Sequence, residues 1–338
     1  MLDKLVIVSN ESIFDSGDSF HCDNIDMKSI PEGLSNKFEI CLIGRKSKSK
    51  KSHKINIANT LNSSNIFSFL LNIIKNFKSK NAKYLLISIT PYTFFSYLLL
   101  IVFRKKVFLY IRSDGYKEYK YIIGFFGVII YHLMFQMVSL KATLISARSH
   151  LLKGKRGKIV CPSQLNKKWF ETRKKANLDK IELLYVGRIR IEKGIFSLLN
   201  IHKNLGNDNY LTIVSSSKSE KNISQKNVNV IEFHNENDSI ISVYDKCNIF
   251  ILPSFTEAHP QVVDESLARL RPVIVFEEIA DVVRDRRGIF VSKRDPVSLS
   301  KTINYIIDNY DFIEKKIMEN KLPTRENFIK DLYNIIKE

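Results

Sequence analysis

The chain has 338 residues, 44% of them apolar, and carries 53 Lys and Arg against 35 Asp and Glu for a formal net charge of +18. That length suggests two domains with sizeable cores, and that charge calls for an anionic partner: nucleic acid, an anionic membrane surface or a phosphorylated substrate. Cys22, Cys41, Cys161 and Cys247 stand far apart with no CxxC pair, which excludes a disulfide framework and a cysteine zinc site and fits the reduced thiols of a cytoplasmic protein.

Leu5 to Ser9 reads as a first strand, too short an apolar run for a secretory signal. The segment from Asn10 to Ile30 reads as a long polar loop containing Gly17. A glycine after a first strand can cradle phosphate, but one glycine without GxGxxG reads as a turn. Phe38 to Ile43 is a second strand. The basic run Arg45 to Lys54 has no aromatic residues interleaved, as a nucleic-acid site would require, so it reads as a solvated loop that could touch anionic lipid.

Two uncharged runs of 20 residues follow, Tyr84 to Phe103 and Tyr121 to Leu140, each long enough to cross a bilayer. The first is broken at Thr90-Pro91 and reads as strand, loop and helix. The second carries His132, Gln136 and Ser139 and leads into an apolar strand, Ala142 to Ser146, so a helix packed on a sheet is preferred to a span. Its surplus of Phe125, Phe126, Ile129 and Ile130, flanked by Lys117, Lys120 and Lys141, suits a face resting in a membrane interface. Between the runs, the strand starting at Val107 ends in Arg112, Ser113, Asp114 and Gly115. Arg112 and Asp114 are candidate site residues there, because ligands collect at the carboxyl ends of parallel strands. Cys161 to Asp179 reads as a connector, giving a first domain over 1–170, a second over 171–310 and a helical segment over 311–338 that crosses back to the first.

In the second half, Ile181 to Ile189 is a strand ending in Gly187 and Arg188, and Glu192-Lys193-Gly194 opens a helix. Arg188 and Lys193 can therefore point, with the helix's free amides, at one anion such as a diphosphate; a pair of solvated surface charges is the alternative. Strands at Tyr210 to Val214 and Val228 to Phe233 and a helix over Asp238 to Asp245 lead to the most informative stretch, Lys246 to Phe276. It contains a buried strand (Asn248 to Leu252), a polar loop with Glu257, a helix begun by Pro260 with Glu265 in about its first turn, and a second buried strand (Pro272 to Phe276). The unit is strand, helix, parallel strand, and the loop lies at the ligand-binding edge. Glu265 is open to two readings, a partner of the helix dipole or a ligand contact. Gly288 to Val291 and a helix from Pro296 to Asn309 complete an α/β chain of two doubly wound, Rossmann-like domains.

The segments VGRIRIEKG (186–194), ILPSFTEAHP (251–260), Glu257 with seven residues before Glu265, and RPVI (271–274) resemble the retaining nucleotide-sugar glycosyltransferases of family 4, or group 1. The resemblance implies the GT-B arrangement, two Rossmann-like domains facing across a cleft. It also implies a UDP-, GDP- or ADP-sugar donor held mainly by the second domain, with no metal or other cofactor. Carried onto this sequence, it implies that Arg188 and Lys193, after Gly187, bind the diphosphate and stabilise the leaving nucleotide. Glu257 and the backbone of Ala258, His259 and Pro260 would contact the sugar, Glu265 the ribose hydroxyls, and His234 the base. The sequence departs from the family at Ala258 and Leu270, where glycine is usual, in lacking a double glycine after Ile274, and in having Arg112-Ser113-Asp114 where a histidine is frequent. The implied function is hexosyl transfer with retention to a glycan or lipid-linked acceptor, in surface polysaccharide or lipopolysaccharide assembly. The expected place is the cytoplasm, peripheral on the inner face of the cell membrane, with no nucleic-acid partner. A degenerate GT-B scaffold and a basic nucleic-acid-binding protein are the alternatives.

Overall fold

The computed structural model describes residues 2–79, 81–206, 208–215, 223–232, 240–257 and 259–338. They divide into two compact units, Met1–Pro162 with Glu326–Glu338, and Ser163–Arg325. The boundary thus falls ahead of 170, and the returning segment starts at 326, not 311. The helices Pro296–Asp308 and Tyr310–Met318 stay with the second unit, where Ile303, Ile306, Tyr310, Ile313 and Ile317 join its core.

The first unit is built on a nine-stranded sheet. Its parallel body runs Thr60–Ser63, Glu39–Lys46, Lys4–Asp15, Lys83–Ile87, Lys106–Ile111, Thr143–Ser146 and Gly157–Ile159, or 3-2-1-4-5-6-7 in chain order. Leu5 and Ile7 enter one core and Val6 and Val8 another, since successive side chains of a strand point to opposite faces and helices cover both. The first strand does not stop at Ser9. Its register slips between Val8 and Ser12, it continues to Asp15, and it turns back antiparallel into Phe20–Cys22, because Ile13 and Cys22 are buried. The helix Ile25–Leu34 fills the rest of the segment expected as loop, with Met27, Ile30 and Leu34 in the core.

The run Tyr84 to Phe103 becomes a strand and the helix Pro91–Val102, started by a capping box between Thr90 and Thr93. The run Tyr121 to Leu140 is divided at Gly124, whose φ of +74° suits glycine, into the helices Gly115–Ile123 and Phe125–Val138. Tyr131, Met134, Phe135 and Val138 pack inward, while Tyr121, Phe125 and Phe126 are 85%, 73% and 74% exposed. No helix among the described residues is long and apolar enough to cross a membrane. The carboxyl-terminal helix Arg325–Lys337 buries Phe328, Leu332, Ile335 and Ile336 in the first unit's core. Lys83 donates to the carbonyls of Ile336 and Lys337 at 2.8 Å, closing that helix's carboxyl end.

The second unit has a six-stranded parallel sheet in the order Val228–Glu232, Asn209–Ser215, Ile181–Val186, Ile249–Leu252, Val273–Phe276 and Ile289–Ser292. In chain order this is 3-2-1-4-5-6, the Rossmann order, whose switch point lies between strands one and four. Phe233 and Asp238, expected to extend a strand and start a helix, lie outside the described residues; the helix described there is Ile240–Lys246. The core continues beneath the helix Gln261–Ala268 to two buried arginines. Arg269 grips Asp245 through Nε and Nη2 at 2.8 and 2.9 Å and also donates to the carbonyls of Trp169, Glu171 and Thr172. Arg271 donates to the carbonyls of Tyr244, Cys247, Arg269, Lys174 and Asp245. The arginine of the RPVI segment therefore serves the fold.

Candidate active site

The loops that leave strands one and four of the second unit meet at the switch point. In the first loop, Tyr185 donates from its hydroxyl to the Arg188 carbonyl at 2.8 Å. A Cβ at Gly187 would lie 2.7 Å from that hydroxyl, so a side chain there would have to displace the Tyr185 ring. The loop then passes the short turn Ile191–Lys193 to Gly194, which has a φ of +67°. A Cβ on Gly194 would stand 1.8 Å from the Pro253 carbonyl oxygen, so both conformation and space demand glycine here. The Phe255 amide donates to the Glu192 carbonyl at 3.1 Å, fastening the loops together.

That contact brings Lys193 to Glu257. Lys193 Nζ lies 2.7 Å from Glu257 Oε1, and the Ser254 hydroxyl donates to the same oxygen at 2.6 Å. The two side chains are 23% and 11% exposed, so the pair borders solvent but is largely withdrawn from it. Arg188 is exposed, and its guanidinium makes no hydrogen bond or ion pair among the described residues. The helix Ile195–His202 begins directly after Gly194, with its amino end beside this cluster.

Pro260 is the cap residue of the helix Gln261–Ala268 and not its first residue, so the helix starts one place later than expected. The first-turn acid is consequently Asp264, which pairs with Arg286 at 2.5 Å and lies 3.5 Å from His259 Nε2. Glu265 is the next residue, on a different side of the helix, and the acid of the first turn is Asp264, so the dipole role falls to Asp264. Glu265 Oε2 accepts a 2.8 Å hydrogen bond from the buried Tyr244 hydroxyl. Burial is the main influence on its carboxyl, Tyr244 opposes it and Asp264 adds to it, and the result is a pKa raised from 4.5 to about 7. Between these values the folded chain keeps a proton that the unfolded chain has released, so this group's stabilisation is complete below pH 4.5 and is lost as pH rises through about 7. In urea denaturation, the stability of the wild type relative to Glu265→Gln should fall across that window; a difference independent of pH would contradict the assignment.

Ala258 and His234 lie outside the described residues. The first-unit candidates have local duties. Gly17 is in the exposed turn after the first strand, with its amide bonded to Asp15 Oδ1 at 2.9 Å. Arg112 pairs with buried Asp26 at 3.2 Å. Asp114 caps the helix Gly115–Ile123 and meets Lys153 at 3.4 Å. Among the described residues no three His, Cys, Asp or Glu side chains gather as a metal-binding group. Sequence reasoning missed Ser254, although it stands inside the quoted segment, and Tyr244, which precedes Glu265 by 21 residues and has no local signal.

Residues 167–330 match the family model described as glycosyl transferases group 1. This part of the chain belongs to the group 1 glycosyltransferases. The capsular polysaccharide biosynthesis glycosyltransferase CapM of Staphylococcus aureus is 29% identical over 166 residues, 44% of this chain and 43% of CapM. The chain thus matches less than half the length of that relative. Among solved structures, sucrose-phosphate synthase from Thermosynechococcus elongatus matches with a TM-score of 0.71 at 14% identity, over 99% of this chain and 98% of that one. Anabaena Alr3699/HepE in complex with UDP and glucose matches with a TM-score of 0.73 at 10% identity, over 99% and 100%. At such identities the likeness is one of fold, and the fold of this chain is GT-B, an α/β pair of Rossmann-like units.

Proposed function

We propose that the protein moves a hexose-type sugar from a nucleoside diphosphate to a glycan or lipid-linked acceptor in the assembly of a surface polysaccharide, with retention of configuration. The observation that carries this reading is the Lys193, Ser254 and Glu257 cluster at the Rossmann switch point, beside the start of a helix. HepE is described with UDP and glucose bound, and CapM as a capsular polysaccharide enzyme; both descriptions support the reading.

In the reaction, the bond from the anomeric carbon to the diphosphate oxygen breaks and an acceptor hydroxyl bonds to that carbon, losing its proton. Charge builds on the departing diphosphate. Arg188 as a fork, Lys193 as a point charge and the amides after Gly194 stabilise it. When the donor enters, Lys193 exchanges Glu257 for phosphate, and Glu257, still held by Ser254, becomes free to accept from sugar hydroxyls. Glu265, ionised above about pH 7, accepts from the ribose. Incubation with UDP-, GDP- and ADP-hexoses should release free sugar from at least one of them, and Glu265→Ala should abolish the release. Silence with every donor and a broad acceptor panel would favour the degenerate scaffold.

The same reading includes a cytoplasmic protein resting on the inner face of the membrane. Its support is the exposed row of Tyr121, Ile122, Phe125 and Phe126 beside exposed Lys117 and Lys120, together with the +18 charge. At low salt the protein should sediment with phosphatidylglycerol vesicles, less so after Phe125→Ser with Phe126→Ser. Failure of the wild type to sediment would contradict it.

A further inference from the structure

Arg294 follows the sixth strand of the second unit and reaches back to the loop that leaves the fourth. Its Nη1 donates to the Pro253 carbonyl at 3.0 Å and its Nη2 to the Ser254 carbonyl at 3.4 Å. The other side of the fork holds Glu278, with Nε to Oε1 at 2.7 Å and Nη2 to Oε2 at 3.0 Å. The guanidinium carbon lies 4.2 Å from the ring centre of Phe255 and 4.3 Å from that of Phe276. One planar cation thereby ties together the ends of strands four, five and six. A lysine has the charge but neither the plane nor the fork.

The carbonyls that Arg294 holds belong to Pro253, which presses on Gly194, and to Ser254, whose hydroxyl holds Glu257. The charge of Arg294 is already matched by Glu278 and its ring-facing surfaces are occupied, so it is not an open site for an anion.

We propose that Arg294 is a positioning residue, which fixes the place of the Ser254 hydroxyl and the Glu257 carboxylate by gripping the backbone that carries them. What Glu257 is positioned for rests on the donor reading above; the hold on the loop does not. Hydrogen exchange over residues 253–260 is expected to quicken about tenfold in Arg294→Met, while the strands of the second unit keep wild-type protection. Unchanged exchange in this segment would overturn the proposal. With the cognate nucleotide sugar, kcat should fall about ten- to hundredfold, with the Kd for UDP alone within about twofold of wild type and partial recovery in Arg294→Lys. Equal losses of UDP affinity, turnover and melting temperature would instead make Arg294 a general structural pin and overturn the proposal. A wild type inert toward every nucleotide sugar would sink the donor reading alone, and the exchange experiment would still decide the role of Arg294.

Discussion

Replacing Lys193 by alanine is expected to slow donor cleavage by about 10²- to 10³-fold, ~2.7–4 kcal/mol of lost transition-state stabilisation, with little change in stability. The reasoning turns on what Lys193 touches with and without donor. Without donor its only ion pair among the described residues is with Glu257, at the edge of solvent. Such a pair contributes about 0–1 kcal/mol to the fold. Under the proposed reading, the same ammonium faces, once donor is bound, a diphosphate on which charge grows as the sugar leaves. Single-turnover rates with the cognate donor, alongside urea denaturation of the same variant, separate the two effects. A variant that loses fold and rate in parallel, or that keeps its rate, would contradict this role.

Replacing Arg269 by methionine is expected to destabilise the second unit by about 3–5 kcal/mol, the usual result of removing one partner of a buried ion pair. Arg269 is 1% exposed and holds Asp245, whose side chain is 8% exposed, through two parallel hydrogen bonds. The substitution leaves that carboxylate buried without its cation and removes donors from the carbonyls of Trp169, Glu171 and Thr172. A second change, Asp245→Asn, should recover part of the loss, because it removes the charge left unpaired. Urea denaturation followed by tryptophan fluorescence reads this directly, since Trp169, whose carbonyl Arg269 holds, is the one tryptophan in the chain. A loss under about 1 kcal/mol would show that Asp245 finds water.

These two cations illustrate what the sequence made legible. Lys193 stands in a segment whose spacing places it after a strand and before a helix, so its site follows from the order of elements. The second unit's strands were readable for the same reason: a fully buried parallel strand is a short unbroken apolar run, as at Ile249–Leu252 and Val273–Phe276. Arg269 carried no such mark. Its partners come from residues 169–172 and from Asp245, and only the packed chain joins them.

The misread pieces have physical reasons too. The first strand was cut at Ser9 because polar residues follow, yet Ile13 is buried against Gly44, where a Cβ would lie 2.5 Å from its Cδ1. Pro260 reads as the first helical residue, but its ψ of 102° keeps it outside the helix, and the acid of the first turn is Asp264, directly before Glu265. Arg294 and Glu278 were invisible, since each belongs to a different strand end. Leu270, which stands where the family usually has glycine, keeps a φ of +60°. The left-handed conformation costs about 1–2 kcal/mol for a residue with a side chain, and burial of that side chain to 4% exposure offsets it by about 1.5–3 kcal/mol. Burial thus holds Leu270 in a conformation that glycine adopts without strain, just ahead of the strand Val273–Phe276.

Whether the switch-point cluster holds a nucleoside diphosphate is tested most directly by calorimetric titration of UDP, GDP and ADP into the wild type, Arg188→Ala and Lys193→Ala. One nucleotide should bind the wild type, and each substitution should weaken it about tenfold or more, as expected for losing a charge-assisted contact of about 1.5–3 kcal/mol. Wild-type affinity retained in both variants would place the nucleotide elsewhere and contradict the assignment.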